Sequence, residues 1–482
     1  MIRSNPCERA CHPAPENRCA GSACAGLGLL FLGALIMILV TAIPESFAAE
    51  ASTPSTKTAA SETTDTVKSW VKKIPWQWGG HVKARGSASW PGDLSVFEPV
   101  GTDTYLDGAL EARINNKLFL KEWGYFETQY EITYSGGDTR SNQFELAKLY
   151  PNLFKFGNKF NLLYGQPIND DRRLMDLTNV IDETNDAVLY HRLDRLNLTL
   201  QPSWGTVRLG RQVLTWGNGM IFNPMDLINP FAPTDIERDY KVGDDMAFVE
   251  YAAGTIGNAQ AIYRPGRDLI TEDVEWDQSS LGGKLHMDKG NFGFDGMATV
   301  HYEDIIGGLG STGQLWGGAW RINATWTNLK DNTYNNDYLS LVANYDRSWT
   351  LWKRNVYGLL EYYYNGLGDT DYEEASTDPD ILKRVSRGEL FVLGRNYLSG
   401  TINVEMHPLV HIYLSVINNM DDPSGSIQPR VVISATQNSE IRIGGSIYYG
   451  SEGTEFGGYQ IPGTDLYNKT PNDFYIWFFY YF

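Results

Sequence analysis

After Cys24 the chain contains no cysteine. That excludes a disulfide framework, a thiolate metal site and a cysteine nucleophile from the rest of the protein, and it agrees with export. Beyond Ile43 no apolar run is long enough to cross a bilayer as a helix. Positive charge is also short: 40 Lys and Arg stand against 58 Asp and Glu, a net charge of -18. In residues 1–48, Arg3, Arg9 and Arg18 balance Glu8, Glu16 and Glu45, so the remainder carries the whole deficit. An acidic balance of this kind argues against nucleic acid as a partner. Histidines are few and scattered (His81, His191, His286, His301, His407 and His411 beyond the leader), with no metal-ligand spacing.

What is abundant points elsewhere. The chain has 48 Gly, 28 Tyr and 14 Trp, with a mean hydropathy of -0.33. A helical membrane protein would be far more apolar, and a soluble protein rarely carries so much Tyr and Trp. A transmembrane β-barrel accounts for both, because half of each strand faces lipid, half faces water, and aromatic girdles mark the interfaces.

The N-terminus reads as an address. Ala25 to Ile43 is one apolar run, preceded by a segment with three Arg and followed by Pro44 and Ser46-Phe47-Ala48. This layout predicts a signal peptide over 1–48, cleaved after Ala48; the alternative is a retained anchor. The Ser/Thr/Ala-rich stretch that follows predicts a disordered or short amphipathic periplasmic lead-in over 49–75. The expected domain is then an outer-membrane barrel over 76–482.

From Trp76 onward the apolar period is two. Leu106, Leu110, Ile114 and Leu118 alternate with Asp107, Glu111, Asn115 and Lys117; Phe126, Tyr130 and Ile132 alternate with Glu127, Gln129 and Glu131. Trp320, Ile322 and Trp326, then Ile402 and Val404, then Ile441 and Ile443, repeat the pattern. These strands run about ten residues, the length a tilted strand needs to span a bilayer, and no helix is expected between them. Tight turns at Gln201–Gly205 and Gln437–Glu440 alternate with long polar loops at Gly217–Asp245, Pro265–Gln278, Gly366–Ser386 and Ser451–Asp473. Short turns on one side and long loops on the other is the outer-membrane pattern.

The C-terminus is the most specific signal. Phe482 ends a strand with Tyr480, Phe478, Ile476 and Phe474 at alternate positions, which looks like the last-strand signal read by the barrel-assembly machinery. At roughly fifty residues per hairpin with its turn and outer loop, 18 strands are expected, with 16 as the alternative. Counting forward from Gly205 and backward from Phe482 gives opposite sides for the connections between about Glu303 and Arg354, so one strand there is missed or merged.

Alternation predicts a lumen of mixed charge: Asp107, Glu111, Arg113, Lys117, Glu127, Glu131, Arg321, Glu361, Arg395, Glu405, Glu440 and Arg442. Such residues either pair across strands as a solvated wall or select solutes by sign. The loop over 217–245 is the most informative. Its first half (Met220, Ile221, Phe222, Met225, Leu227, Ile228, Phe231) is too apolar for solvent, and around it lie Asp226, Asp235, Glu237, Arg238, Asp239, Lys241, Asp244 and Asp245. A loop built this way is expected to fold into the barrel and narrow the pore, with its excess carboxylates favouring cations; a lid over the mouth is the alternative.

Gly210-Arg211-Gln212 at a strand end, then Trp216-Gly217 and the Asn223-Pro224 and Asn229-Pro230 pairs, resembles a group of porin-like outer-membrane proteins akin to alginate-export-type barrels. The resemblance extends in general form from about Trp78 to Phe482, with its sharp residues within about 205–246. It implies an 18-strand barrel with a passive channel.

No pattern matches the Ser-His dyad of an outer-membrane phospholipase or the Asp/His set of an omptin protease, so no enzymatic activity, catalytic residue, cofactor or metal is expected. The acidic stretch Gly366–Asp380 lacks EF-hand order. The function expected is an outer-membrane channel for small hydrophilic solutes. An export barrel for polysaccharide, or a sheath around a periplasmic electron-transfer partner, is the alternative. Expected partners are outer-membrane lipid and lipopolysaccharide, the barrel-assembly machinery and the solute.

Overall fold

The computed structural model describes residues 75–100, 103–149, 168–233, 240–330 and 337–482. The expected signal peptide and all but the last residue of the expected lead-in lie outside them. Eighteen antiparallel strands close into a barrel. They are β1 (Trp76–Trp90), β2 (Tyr105–Phe119), β3 (Gly124–Gly137), β4 (Ala187–Leu200), β5 (Gly205–Gln212), β6 (Asp244–Ala252), β7 (Gly257–Arg267), β8 (Val274–Lys289) and β9 (Phe292–His301). The second half is β10 (Asp304–Leu315), β11 (Gly318–Asn328), β12 (Asp337–Leu351), β13 (Arg354–Asn365), β14 (Asn396–His407), β15 (Val410–Asn419), β16 (Ser424–Ser434), β17 (Ser439–Tyr449) and β18 (Asn472–Tyr481). Each pairs with the next, and β18 pairs with β1 from His81↔Tyr481 to Trp90↔Asn472, which closes the ring and leaves no edge. Phe482 completes the seam: its N–H donates to Gly80 O at 3.0 Å and its carbonyl accepts from Gly80 N at 2.9 Å.

Burial is inverted relative to a soluble protein. Outward residues such as Leu309 (71 % exposed), Leu285 (65 %) and Leu106 (61 %) are apolar, whereas the inward Arg113 (2 %) and Glu131 (1 %) are buried. That distribution is stable only with lipid outside and polar partners inside.

At one end the strands are joined by two to four residues, as at 201–204, 316–317 and 435–438; at the other by long connections such as 138–186, 213–243, 366–395 and 450–471. The strand lost in sequence counting is explained by an exception to that rule. On the long-loop side, β9 and β10 are joined by Tyr302 and Glu303 alone, both at positive φ (50° and 71°), the signature of a two-residue hairpin turn. The following strand, β10, also carries Gly307, Gly308, Gly310 and Gly313, which dilute its alternation.

Two further expectations are corrected. The expected loop Pro265–Gln278 is mostly strand: β7 reaches Arg267, β8 starts at Val274, and Pro265, which has no N–H to offer, sits at a register shift between Arg264 and Gly266. Helices also occur in the connections: α1 (Asp138–Leu149), α2 (Tyr372–Ala375) and α3 (Pro379–Arg387). Carboxylates of the acidic stretch act there as caps, Asp371 accepting from Glu374 N and Asp378 from Asp380 N.

Candidate functional site

The connection 213–243 crosses the lumen. Its departure from the wall has a local cause. The upper part of β4 (Val188–Arg192) is paired by a short strand, Thr178–Glu183, so β5 finds a partner only over Leu196–Leu200. The chain beyond Gln212 has no strand beside it and turns inward.

Its first half docks by apolar burial. Trp216, Met225 and Ile228 are buried against Met246, Phe248, Ile262, Met297 and Ile306, inward residues of β6, β7, β9 and β10. Phe222 reaches farther, to Val342, Tyr363, Tyr397 and Ile417 on β12 to β15, and stacks on Tyr363 with centroids 4.5 Å apart. Each such side chain contributes about 1.5–3 kcal/mol. Glu361 of β13 fixes the direction: its carboxylate accepts the backbone N–H groups of Met220 (2.7 Å), Ile221 (3.0 Å) and Phe222 (2.6 Å), and Asn344 Nδ2 at 3.1 Å. The turn needs Gly219, where a Cβ would fall 1.9 Å from Phe222 O. Glu361, expected to line the pore, therefore lies beneath the crossing chain, 1 % exposed.

The second half docks by charge. The Tyr240 hydroxyl lies 2.6 Å from Glu111 and 2.8 Å from Glu131 and shares its single proton between them, and the Arg113 guanidinium lies 3.7 Å from its ring centre. Burial, together with Glu131, pushes that hydroxyl above its ordinary pKa and keeps it a donor. Arg113 also meets Glu131 (3.0 Å) and Asp194 (2.5 Å). Asp194 accepts Gly243 N at 3.0 Å, and Arg195 donates to Lys241 O at 2.7 Å. Within the connection, Lys241 Nζ lies 2.6 Å from Asp226. Burial pushes Asp226 up to about 6 against the pull of Lys241, and pushes Lys241 below its ordinary value.

These contacts correct the expected charge of the loop. Asp244 and Asp245 belong to β6 and are neutralised, Asp244 by Arg264 (2.7 Å) and Asp245 by Arg211 (2.9 Å). Asp226 and Lys241 cancel each other. The expected cation preference thus loses its source among the described residues; Asp235, Glu237, Arg238 and Asp239 lie outside them.

On the wall, Arg321 pairs with Asp346 (2.5 Å) and Arg442 with Glu440 (2.5 Å). Glu405 accepts Asn355 Nδ2 at 2.8 Å near the short-turn end. Glu127 is held by Gln129 Nε2 at 2.9 Å. Arg395 is not in a strand: it ends the connection 366–395, and its Nε donates to Gly368 O at 2.6 Å. Asp107 caps α1, accepting from Thr139 N at 3.0 Å, and Lys117 sits over the Tyr125 ring at 4.7 Å.

Two features escaped sequence reading. The inner face of β18 stacks Tyr475, Trp477 and Phe479, all buried, under Lys83, which lies 4.9 Å from both the Trp477 and Phe479 rings. The inward positions of this strand are as aromatic as the outward ones, and that departure from a polar inner face was the signal. Ser280 Oγ lies 2.7 Å from His301 Nδ1, with Glu389 3.3 Å from the other ring nitrogen. The space beside Ser280 and His301 is only about 10 Å³, room for a single water at most. Below Tyr240, toward the short-turn end, a polar cavity of about 340 Å³ opens between the crossing chain and the wall, lined among others by His81, Arg113, Glu127, Asn197 and Arg208.

No family model and no curated protein matches the chain. Among solved structures it is similar to OccAB1 of Acinetobacter baumannii, with 11 % identity over 84 % of this chain and 96 % of that one and a TM-score of 0.47. It is similar to OccAB2 of the same organism at 8 % identity over 84 % and 98 %, TM-score 0.49. A third likeness is to Wzi of Escherichia coli, a carbohydrate-binding β-barrel of the outer membrane involved in group 1 capsule assembly, at 8 % identity over 87 % of each chain, TM-score 0.45. The barrel architecture of this chain rests on its own strand register, independently of these likenesses.

Proposed function

We propose that the protein is a passive channel for small hydrophilic solutes in the outer membrane of a Gram-negative bacterium, narrowed by the connection 213–243. The observation that carries this reading is the lumen itself: a closed barrel with an apolar exterior and a charged interior, crossed by one chain that docks on both walls. Charged groups on a polar wall suit passage of hydrated solutes. No bond-making step is part of this reading. A sheath around a partner protein fits less well, because the crossing chain occupies the space the partner would need. Lipid and lipopolysaccharide on the outside, and the assembly machinery during insertion, are partners that follow from the same reading.

The test is electrical. The mature protein, refolded into planar bilayers, is expected to give discrete ohmic steps. Removal of residues 220–242 should raise step conductance several-fold with the barrel still assembled. Absence of current from both proteins would overturn the channel, and unchanged conductance after the deletion would remove the connection from the pore.

A further inference from the structure

Resting on the reading of the barrel as a channel, we propose that the cavity beneath Tyr240 is a binding site for a small zwitterionic solute, Arg208 taking its carboxylate and Glu127 its ammonium group. At about 340 Å³, the cavity has space for roughly ten waters at about 30 Å³ each, enough for a solute of amino-acid size. Val213 is the sole aliphatic residue in its lining among the described residues, so the site favours a small polar body.

The charge inventory selects the chemistry. Arg113 is committed to Glu131 and Asp194, Arg195 to Asp194, and His81 Nε2 to Glu111 at 2.9 Å. Two charged residues of the lining stand outside any ion pair. Arg208 donates from Nε to Thr199 Oγ1 at 3.2 Å, and no protein acceptor meets its two terminal nitrogens among the described residues. Glu127 receives only amide donors, Gln129 Nε2 at 2.9 Å and Asn197 Nδ2 at 3.4 Å. Lys117 is opposite Glu127 in register but is drawn over the Tyr125 ring without an ion pair to it.

Geometry agrees. Glu127 and Arg208 lie on β3 and β5 with β4 between them; in register Glu127 stands level with Asn197 and Gly210, and Arg208 two residues nearer the short-turn end, level with Thr199. Two strand spacings and a two-residue rise put their backbones about 12 Å apart, and both side chains lean onto β4, Glu127 meeting Asn197 Nδ2 and Arg208 meeting Thr199 Oγ1, which leaves a gap that an α-amino acid fills with one hydrogen bond at each end. A simple anion would meet the Glu127 carboxylate in the same space, and a simple cation the Arg208 guanidinium. A neutral polyol needs uncommitted amides. Here Gln129 is bound at both ends, Asn197 donates to Glu127 and Arg211 O, Gln212 Nε2 is shared by three backbone carbonyls and Asn115 Oδ1 accepts from Arg113, so among the described residues only Asn115 Nδ2 and Gln212 Oε1 remain for a polyol. The free hydrogen-bonding capacity sits mainly on the two opposite charges.

The experiment uses the refolded mature protein in planar bilayers at fixed ionic strength, with glycine, acetate, methylammonium and glycerol added in turn from the short-turn side. Glycine is expected to interrupt the current in a saturable manner, with the other three at least about ten-fold weaker, in line with loss of one charge-assisted hydrogen-bonded contact. Arg208→Gln and Glu127→Gln should each weaken glycine about ten-fold, read as the half-blocking concentration relative to each variant's own open-channel current, while Arg321→Gln, whose side chain is not in the cavity lining, should leave the blockade intact. Acetate as strong as glycine, glycerol as strong as glycine, or variants without effect would each overturn the zwitterion site while leaving the channel standing. Should no current appear, the channel reading fails by itself. Calorimetric titration of glycine into the same protein then decides the site: heat abolished by both variants supports it, and no heat overturns it.

Discussion

Residues 214–228 and residues 240–243 belong to one connection, yet they are held by different physics. The first segment docks on β6 to β15 mainly through Trp216, Phe222, Met225 and Ile228, with the carboxylates of Glu361 and Asp295 receiving its backbone N–H groups and the Asn218 side chain, respectively. The second docks on β2 to β4 through Tyr240, the Lys241 carbonyl and Gly243, its hydrogen bonds to these strands passing through Arg195 and the carboxylates of Glu111, Glu131 and Asp194. Apolar burial is tolerant of small shifts, since it depends on area. Buried charge pairs are not: removing one partner leaves the other desolvated at a cost of several kcal/mol. One end therefore supplies bulk adhesion and the other fixes register.

The comparison can be broken at either end. The largest effect is expected from Phe222→Ala, at about 3–5 kcal/mol for loss of a buried aromatic. Hydrogen exchange at the Met220, Ile221 and Phe222 amides should rise by two orders of magnitude or more, while the Gly243 amide stays protected. Equal loosening at both ends would show that the connection docks as one unit. A smaller effect, about 1–3 kcal/mol, is expected from Tyr240→Phe, which strips a donor from two buried carboxylates. Here the Gly243 amide should exchange faster and the Met220–Phe222 amides should not. The smallest effect concerns pH. The Asp226 carboxyl is raised from its ordinary 3.8 to about 6 in the docked chain, so docking takes up a proton between about pH 4 and 6. That contribution is present at low pH and is lost as pH rises through 6. Current noise from the crossing chain should be slightly lower at pH 5 than at pH 7, and the reverse order would mean that Lys241 dominates the pair.

Much of the architecture was legible because it is local. Alternation at Leu106–Leu118 or Phe126–Ile132 marks the lipid face whatever the neighbours are, and the apolar first half of 217–245 announced that it could not lie in water. Failures fell where local signals are weak. The two-residue turn at Tyr302-Glu303 imitates the opposite end of the barrel, the glycines of β10 erase its period, and α1 buries only Leu146, too little to leave an apolar stripe. The charges were the least legible. Lumen residues were identifiable as charged, but Asp244, Asp245 and Glu361 differ in role only through partners far away in the chain.

The sequence by itself determined that this chain closes as a barrel with lipid on the even face of one strand and water on the odd, because side-chain alternation and the terminal Phe482 strand are properties of single segments. Only the tertiary structure decided where the charges go. Ile221 and the Glu361 that receives its N–H are 140 residues apart, and Tyr240 and Glu111 are 129 apart. At such separations no periodicity links the partners; closure of the barrel brings them within hydrogen-bonding distance, and desolvation then makes each pairing obligatory.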